Sequence, residues 1–381
     1  AYEIHERLVG SEMCIRDRVR KMKPFIRNLL RMSVYQIKYM DAVPDSAVCN
    51  EAVKLAKRHK FAQLSGFVNG VLRNIARNID SVQFDTLSIR YSMPQWIVDR
   101  FVAAYGEKKA EEIFKAFHNK STISIRTNLT RCTPDELRAM LEAEGVTVTA
   151  VDELDYAFVI SGFDYLNGLQ SFRDGLFYVQ DISSMLVAQT ADPKKGDYVI
   201  DVCAAPGGKS THIAELLQGS GHVLARDLTD TKVGMIEENI DRHGLNNMSA
   251  EVWDATVPDA DSAGKADILI CDLPCSGLGV LGRKKDIRYK MTPESVDELA
   301  ALQRQILDTV HTYVKPNGVL VYSTCTIDEA ENEDNVRWFI EKHPEFELDK
   351  NFAEGTGMKQ ILPGEHGSDG FFIARFIKSK L

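Results

Sequence analysis

The chain has 381 residues, 44% hydrophobic and 27% charged, ordinary globular usage that excludes a disordered or low-complexity protein and provides for two or three domains at ~100–200 residues each. No apolar run approaches the roughly 18 residues of a membrane span, no segment reads as a secretory leader, and seven scattered cysteines read as free thiols, so a soluble cytoplasmic protein is expected. The net charge of −9 conceals 13 Lys/Arg against 4 Asp/Glu over residues 18–80, a basic module on an acidic body that suits a polyanionic partner.

Residues 1–18 are read as a non-native start, because Gly10–Arg18 resembles translated sequencing-adapter sequence. Residues 19–80 carry a helical rhythm. Phe25, Leu29, Met32 and Gln36 share one spacing, widened by Ile26, Leu30, Val34 and Ile37. Pro44-Asp45 interrupts it; a second helix follows through Val48, Ala52, Val53 and Ala56, and a third through Phe67, Val68, Val71, Leu72 and Ile75. More helix is expected after residue 81, from near Pro94 to near Gly106. Ile123–Asn128 then alternates, Thr133-Pro134-Asp135-Glu136 is a capping box with Pro at the first helical position, and Val146–Val151 alternates again. This segment, 81–175, is read as a helical linker and a small α+β module.

From residue 176 short apolar runs alternate with helical stretches. Strands are expected at Tyr198–Ala204, Val223–Leu228, Ser249–Val252, Asp267–Asp272 and Val319–Thr324, and helices at Lys209–Leu217, Thr231–His243 and Glu298–Val314. Such a pattern is an α/β Rossmann-like domain with a parallel sheet covered on both faces, and ligands bind beyond the carboxyl ends of its strands.

The first strand end reads Cys203-Ala204-Ala205-Pro206-Gly207-Gly208-Lys209-Ser210. Small residues before a helix N-terminus admit a ligand close to the backbone. A phosphate loop needs a glycine five residues before Gly208, where Cys203 stands, so a P-loop ATPase is the weaker reading. Asp227, Asp254 and Asp272 follow or end further strands. Asp227 is placed to accept from ribose hydroxyls and Asp254 to face an adenine amino group. Carboxylates in this number favour a cationic nucleoside such as S-adenosyl-L-methionine and repel a triphosphate. Each alone is also an ordinary cap or solvated-turn residue.

Two thiols stand at neighbouring strand ends, Cys275 in Asp272-Leu273-Pro274-Cys275-Ser276-Gly277 and Cys325 in Ser323-Thr324-Cys325-Thr326. A lone strand-end cysteine is usually a small buried hydrophobe. No metal is expected, since no histidine stands at ligand spacing from either thiol. The segments CAAPGGKS, DLPCSGLG and STCT, with the trailing GSDGFFIARF and the earlier FYVQDISSMLVA, resemble the RNA cytosine-5 methyltransferases of the Nop2/Sun type. VPDSAVCNEAVKLAK and FVNGVLRNI resemble the all-helical RNA-binding domain of the antitermination factor NusB. Together these cover residues 19–381 in order. Two departures stand near the motifs, Leu273 where Ala or Val is commoner and Arg226 where the residue before the acid is usually apolar.

The resemblance implies an S-adenosylmethionine-dependent methyltransferase domain over 176–381 and a shortened NusB-like domain over 19–80. It implies methylation of cytosine C5 in small-subunit (16S) ribosomal RNA; the enzyme is expected to be cytoplasmic, monomeric and metal-free. It assigns Cys325 as the nucleophile that adds to C6 and Cys275 as the group that assists proton removal and release. Asp272 would meet the N3/N4 edge of the base, and Lys209 would orient the loop or lower a thiol pKa. Cofactor contacts fall on Cys203, Ala204, Ala205, Pro206, Gly207, Gly208, Lys209, Asp227, Asp254 and Asp272. Arg283, Lys284, Lys285, Arg288 and Lys290, beside Tyr289, form a basic run next to a thiol loop and are candidates for RNA phosphate. The alternatives are the same chemistry on transfer RNA or another ribosomal site, a P-loop ATPase, and a catalytically silent RNA-binding module.

Overall fold

The computed structural model describes residues 21–81, 85–119 and 122–380; the suspected non-native start, 1–18, lies outside them. The chain divides into two compact units between Met93 and Pro94. Among the described residues no helix is long and apolar enough to cross a membrane.

In the first unit three helices, Pro24–Tyr39, Asp45–Arg58 and Ser65–Asn78, pack around Leu30, Val34, Ala52, Ala56, Val68, Leu72 and Ile75. Proline opens the first helix, where its missing N–H costs nothing. The buried stripe is the Ile26, Leu29, Leu30 and Val34 face. Met32 and Phe67, expected in the core, stay 47% and 41% exposed. Each flanks a stripe already wide enough to fill a three-helix core.

The second unit contains two sheets. The smaller has the order β2-β3-β1-β4, built from β1 (Ile123–Thr127), β2 (Thr147–Val151), β3 (Leu154–Ser161) and β4 (Phe177–Val179). All its pairings are antiparallel. Helix Pro134–Ala143 packs on it, and its Thr133–Glu136 capping box forms. Phe177–Val179, which the sequence pattern places at the start of the catalytic segment, is instead the fourth strand here, with Ile125 opposite Val179.

The larger sheet has eight strands: β5 (Tyr198–Asp201), β6 (His222–Asp227), β7 (Met248–Val252), β8 (Ala266–Asp272), β9 (Val314–Thr324), β10 (Phe346–Leu348), β11 (Met358–Ile361) and β12 (Phe371–Lys378). Its order is β10-β12-β9-β8-β5-β6-β7, with β11 paired to β12. From β9 to β7 the pairings are parallel, as the alternating pattern requires. The antiparallel edge, β12 beside β9, is the trailing FFIARF segment. Two apolar clusters cover the faces, one with Leu269, Ile306, Tyr322 and Phe339, the other with Val199, Ile213, Val223 and Ile270. Between β5 and β8 the winding reverses, so the crevice at their carboxyl ends is the place for a ligand.

Candidate active site

Strands β8 and β9 are neighbours in register, Asp272 opposite Ser323, and the loops leaving them carry the two thiols. Cys275 Sγ lies 3.2 Å from Cys325 Sγ. The Cys325 amide also donates to Cys275 Sγ, at 3.3 Å. The Cys275 S–H holds the Cys325 thiol below its ordinary value against the opposing effect of burial, and the charges of Lys209 and Lys284 act in the same direction. Cys275, the donor, is pushed up by that same bond and by burial. The pair is therefore polarised, with Cys325 the sulfur more easily ionised.

The loop after β8 is held from two sides. Gly279 N donates to Cys325 O and Gly370 N to Gly279 O, at 3.1 and 2.9 Å. A Cβ on Gly279 would stand 2.2 Å from Gly370 O, so only glycine allows this approach. Beneath the loop lies Glu331, fully buried. It accepts from Ser276 N and Gln303 Nε2, each at 2.9 Å, and from the Ser276 hydroxyl. Ser276 and Thr326 hydroxyls meet at 2.9 Å, linking the two thiol loops, and burial raises the Glu331 pKa.

At the end of β5, Gly207 caps the helix Gly208–Leu216 with φ 103°, a conformation glycine supplies. Asp201 accepts from Ser210 Oγ and Cys203 N, and burial raises its pKa to about 7. Lys209 Nζ lies 2.7 Å from Asp272 Oδ2, and Ser323 Oγ donates to Asp272 Oδ1 at 2.7 Å. Burial alone would lower the Lys209 pKa, but Asp272 outweighs it and the net direction is up. Asp227 accepts from Ala205 N at 2.9 Å, Leu228 N at 2.7 Å and Lys232 Nζ at 2.9 Å. It pins the loop and keeps one of its roughly four lone-pair sites.

Profiles of three families match the chain: 16S rRNA methyltransferase RsmB/F over residues 188–377, NusB over 8–77, and the RsmF/B-like ferredoxin-like domain over 93–163. A Bacillus subtilis protein named "Probable ribosomal RNA small subunit methyltransferase B" is 39% identical over 380 residues, covering 95% of this chain and 85% of that one. The chain belongs to the RsmB/F family of 16S rRNA methyltransferases. The Shewanella oneidensis ribosomal RNA small subunit methyltransferase B is 31% identical, covering 96% of this chain and 85% of its own. Among solved structures, that of PH0851 matches with a TM-score of 0.78 at 27% identity, covering 100% of this chain and 88% of that one. Family membership makes the chain an rRNA methyltransferase and sets aside the ATPase and silent-module alternatives.

Other expected contacts divide. Asp254 is exposed and closes a turn on Thr256 N and Oγ1, at 2.9 and 2.7 Å, the turn role its residue type allows. Arg226, the departure before Asp227, is buried because Glu251 and Asp259 pair with it at 2.6 and 2.7 Å. Of the basic run, Lys284 and Lys285 are exposed. Lys290 is exposed and pairs with Asp286 at 2.7 Å. Arg283 bridges Asp181 and Asp369, each at 2.7 Å. Arg288 corrects the sequence reading: it is buried, its guanidinium donates to Leu281 O at 3.1 Å, and it braces the loop from within.

Sequence reasoning missed Glu331, which sits in the acidic run Asp328–Asp334 and reads there as a solvated face. It also missed Arg126, fully buried, which reaches from β1 to Gln180 Oε1 at 2.9 Å, to Thr211 Oγ1 at 3.1 Å and to the Glu215 carboxylate. The polar alternation of β1 is the signal that pointed to a position on the sheet but not to its partner.

Proposed function

We propose that this chain methylates C5 of a cytosine in small-subunit ribosomal RNA with S-adenosyl-L-methionine as donor, in the cytoplasm, with Cys325 as nucleophile and Cys275 as its partner. The site suits that donor. Asp227 and Asp272 border the loop 203–209, carboxylate acceptors suited to the hydroxyl and amino donors of a nucleoside. A Cβ at Gly208 would come within 3.2 Å of the Tyr178 ring, so a glycine there lets the start of the helix pack against that ring. Residues 203–209 would hold the donor, with Asp227 toward its ribose; when bound, it supplies an electrophilic methyl group.

The chain's own residues do the rest. Cytosine C5 is a poor nucleophile, and addition of the Cys325 thiolate to C6 converts the ring to an enamine reactive at C5. Asp272, paired with Lys209, would hydrogen-bond the N3/N4 edge, which takes up a proton as that adduct forms. Once Cys325 is bonded to C6, Cys275 gives its S–H proton to water and its thiolate takes the C5 proton; the C5–H electron pair forms the C5–C6 double bond, the C6–S bond breaks, and Cys325 departs with its electron pair to restore the aromatic ring. The base must first leave its stack, at a cost of a few kcal/mol. Lys284, Lys285 and the basic helical unit provide contacts to RNA phosphate, so binding weakens with salt.

The observation that carries this reading is the 3.2 Å contact between two thiols at the ends of β8 and β9. The test is incubation of the full chain with small-subunit rRNA and labelled donor, followed by bisulfite mapping. One protein-dependent 5-methylcytosine is expected, and it should be absent with Cys325→Ala. Methylation of transfer RNA instead, or of a base other than cytosine, would overturn it.

A further inference from the structure

At the opposite end of β9 from Cys325, three side chains with metal-binding atoms converge. His311 follows helix Pro293–Val310, Asp308 lies in that helix's last turn, and His343 follows helix Glu333–Lys342. One donor atom from each falls within 4.8 Å of the others. The imidazole centroids lie 3.9 Å apart with the ring planes tilted by 38°, and their side chains are only 16% and 8% exposed. Phe339 and Phe346 wall them in. No sequence spacing pairs these two histidines, 32 positions apart; the fold alone brings them together.

Two details favour a cation between them. His343 Nε2 lies 3.2 Å from Asp308 Oδ1 without hydrogen-bond geometry, and it is a buried nitrogen with no hydrogen-bond partner. Tetrahedral zinc with bonds of ~2.0–2.1 Å keeps its donors about 3.3 Å apart, close to the Nε2–Oδ1 separation. On the far side, Glu345 Oε1 stands 3.8 Å from both His311 Nε2 and His343 Nδ1, where a carboxylate orients imidazole ligands from behind. Lys342 Nζ takes Asp308 Oδ2 at 2.9 Å, fixing the carboxylate so that Oδ1 is the atom turned inward.

We propose that Asp308, His311 and His343 form a site for a divalent transition metal of the zinc class, with water completing the coordination. The metal joins the carboxyl ends of two helices that also meet through Asn335 Nδ2 and Gln303 Oε1, 2.7 Å apart. It lies a full strand length from the thiols, so it stabilises the fold and takes no part in methyl transfer.

The test uses the full chain, stripped with chelator and then given Zn2+ or Co2+ alone. About one equivalent of Zn2+ should bind and raise the melting temperature by about 5 °C. Co2+ should give visible d–d bands without a thiolate charge-transfer band. Both effects should vanish in His343→Gln and in Asp308→Asn, whose metal-free melting temperatures show whether they fold. No zinc-dependent shift, retention of metal by both variants, or a thiolate band that alkylation removes would overturn the assignment; the last would place the metal on Cys275 and Cys325.

Discussion

Lys209 Nζ sits 2.7 Å from Asp272 Oδ2, tying the loop after β5 to the end of β8. Ser323 Oγ holds the other oxygen of the same carboxylate, so the ends of three adjacent strands are fastened at one residue. The charge balance matters as much as the geometry. Burial and the Asp272 charge oppose ionisation of Cys325, while the Cys275 hydrogen bond, Lys209 and Lys284 favour it.

Lys209→Met removes a cation that supports the Cys325 thiolate. The thiolate is the reactive form, so activity rises with pH. Losing the cation moves the acidic limb of the pH–rate profile upward. A shift of one pKa unit is about tenfold in thiolate fraction, so a roughly tenfold loss at neutral pH, recovering in alkali, is expected. A limb that does not move would assign Lys209 to loop orientation alone.

The two sulfurs are separable by product. With Cys325→Ala neither methylated RNA nor an RNA–protein adduct should form, while donor binding by calorimetry is kept. With Cys275→Ala, Cys325 can attack but its departure is impaired, so a slowly migrating covalent complex should accumulate on a denaturing gel. Adduct from the first variant, or none from the second, would exchange or remove these roles.

Much of this site was readable from residue order because strand ends are where such sheets bind ligands. Cys203–Lys209, Asp227, Cys275 and Cys325 all fall where short apolar runs stop. The exceptions share a cause. β3 carries the burial pattern of a strand covered on both faces, which erases alternation, and β4 is three residues long. Arg288 reads as one more cation in a run, and only the packing of its loop shows it turned inward. Arg126, Glu331 and the His311–His343 pair depend on partners distant in sequence, which no local pattern encodes.

Asp201 supplies a pH dependence of stability. Burial raises its pKa to about 7 from an ordinary value of 3.8, so the folded state binds an extra proton between those limits. Its contribution is fully present below about pH 4 and is lost as pH rises toward 7. Asp201→Asn cannot ionise. The melting temperature of the unmodified chain should therefore fall relative to the variant between pH 4 and 7, by the equivalent of a few kcal/mol. Parallel curves would show that Ser210 and Cys203 keep the carboxylate ionised throughout.

Glu331→Gln tests whether the buried network positions Cys275. The carboxylate accepts from three donors, Ser276 N, Ser276 Oγ and Gln303 Nε2. A glutamine side chain has one accepting oxygen and an NH2 group. If that NH2 faces Ser276 N and Gln303, donors oppose donors. If it faces the Ser276 hydroxyl, that hydroxyl must reverse and its contact with Thr326 is rearranged. Either arrangement leaves a buried polar group poorly matched, at about 1–3 kcal/mol, and the loop bearing Cys275 takes the strain. Cys325 keeps its own strand end, so attack on C6 should outlast release. The variant should bind donor with unchanged affinity, turn over roughly ten- to a hundredfold more slowly, and accumulate the same covalent RNA complex as Cys275→Ala. A purely structural role would instead lower stability and donor binding together, with no adduct, and that outcome would remove Glu331 from the positioning of Cys275.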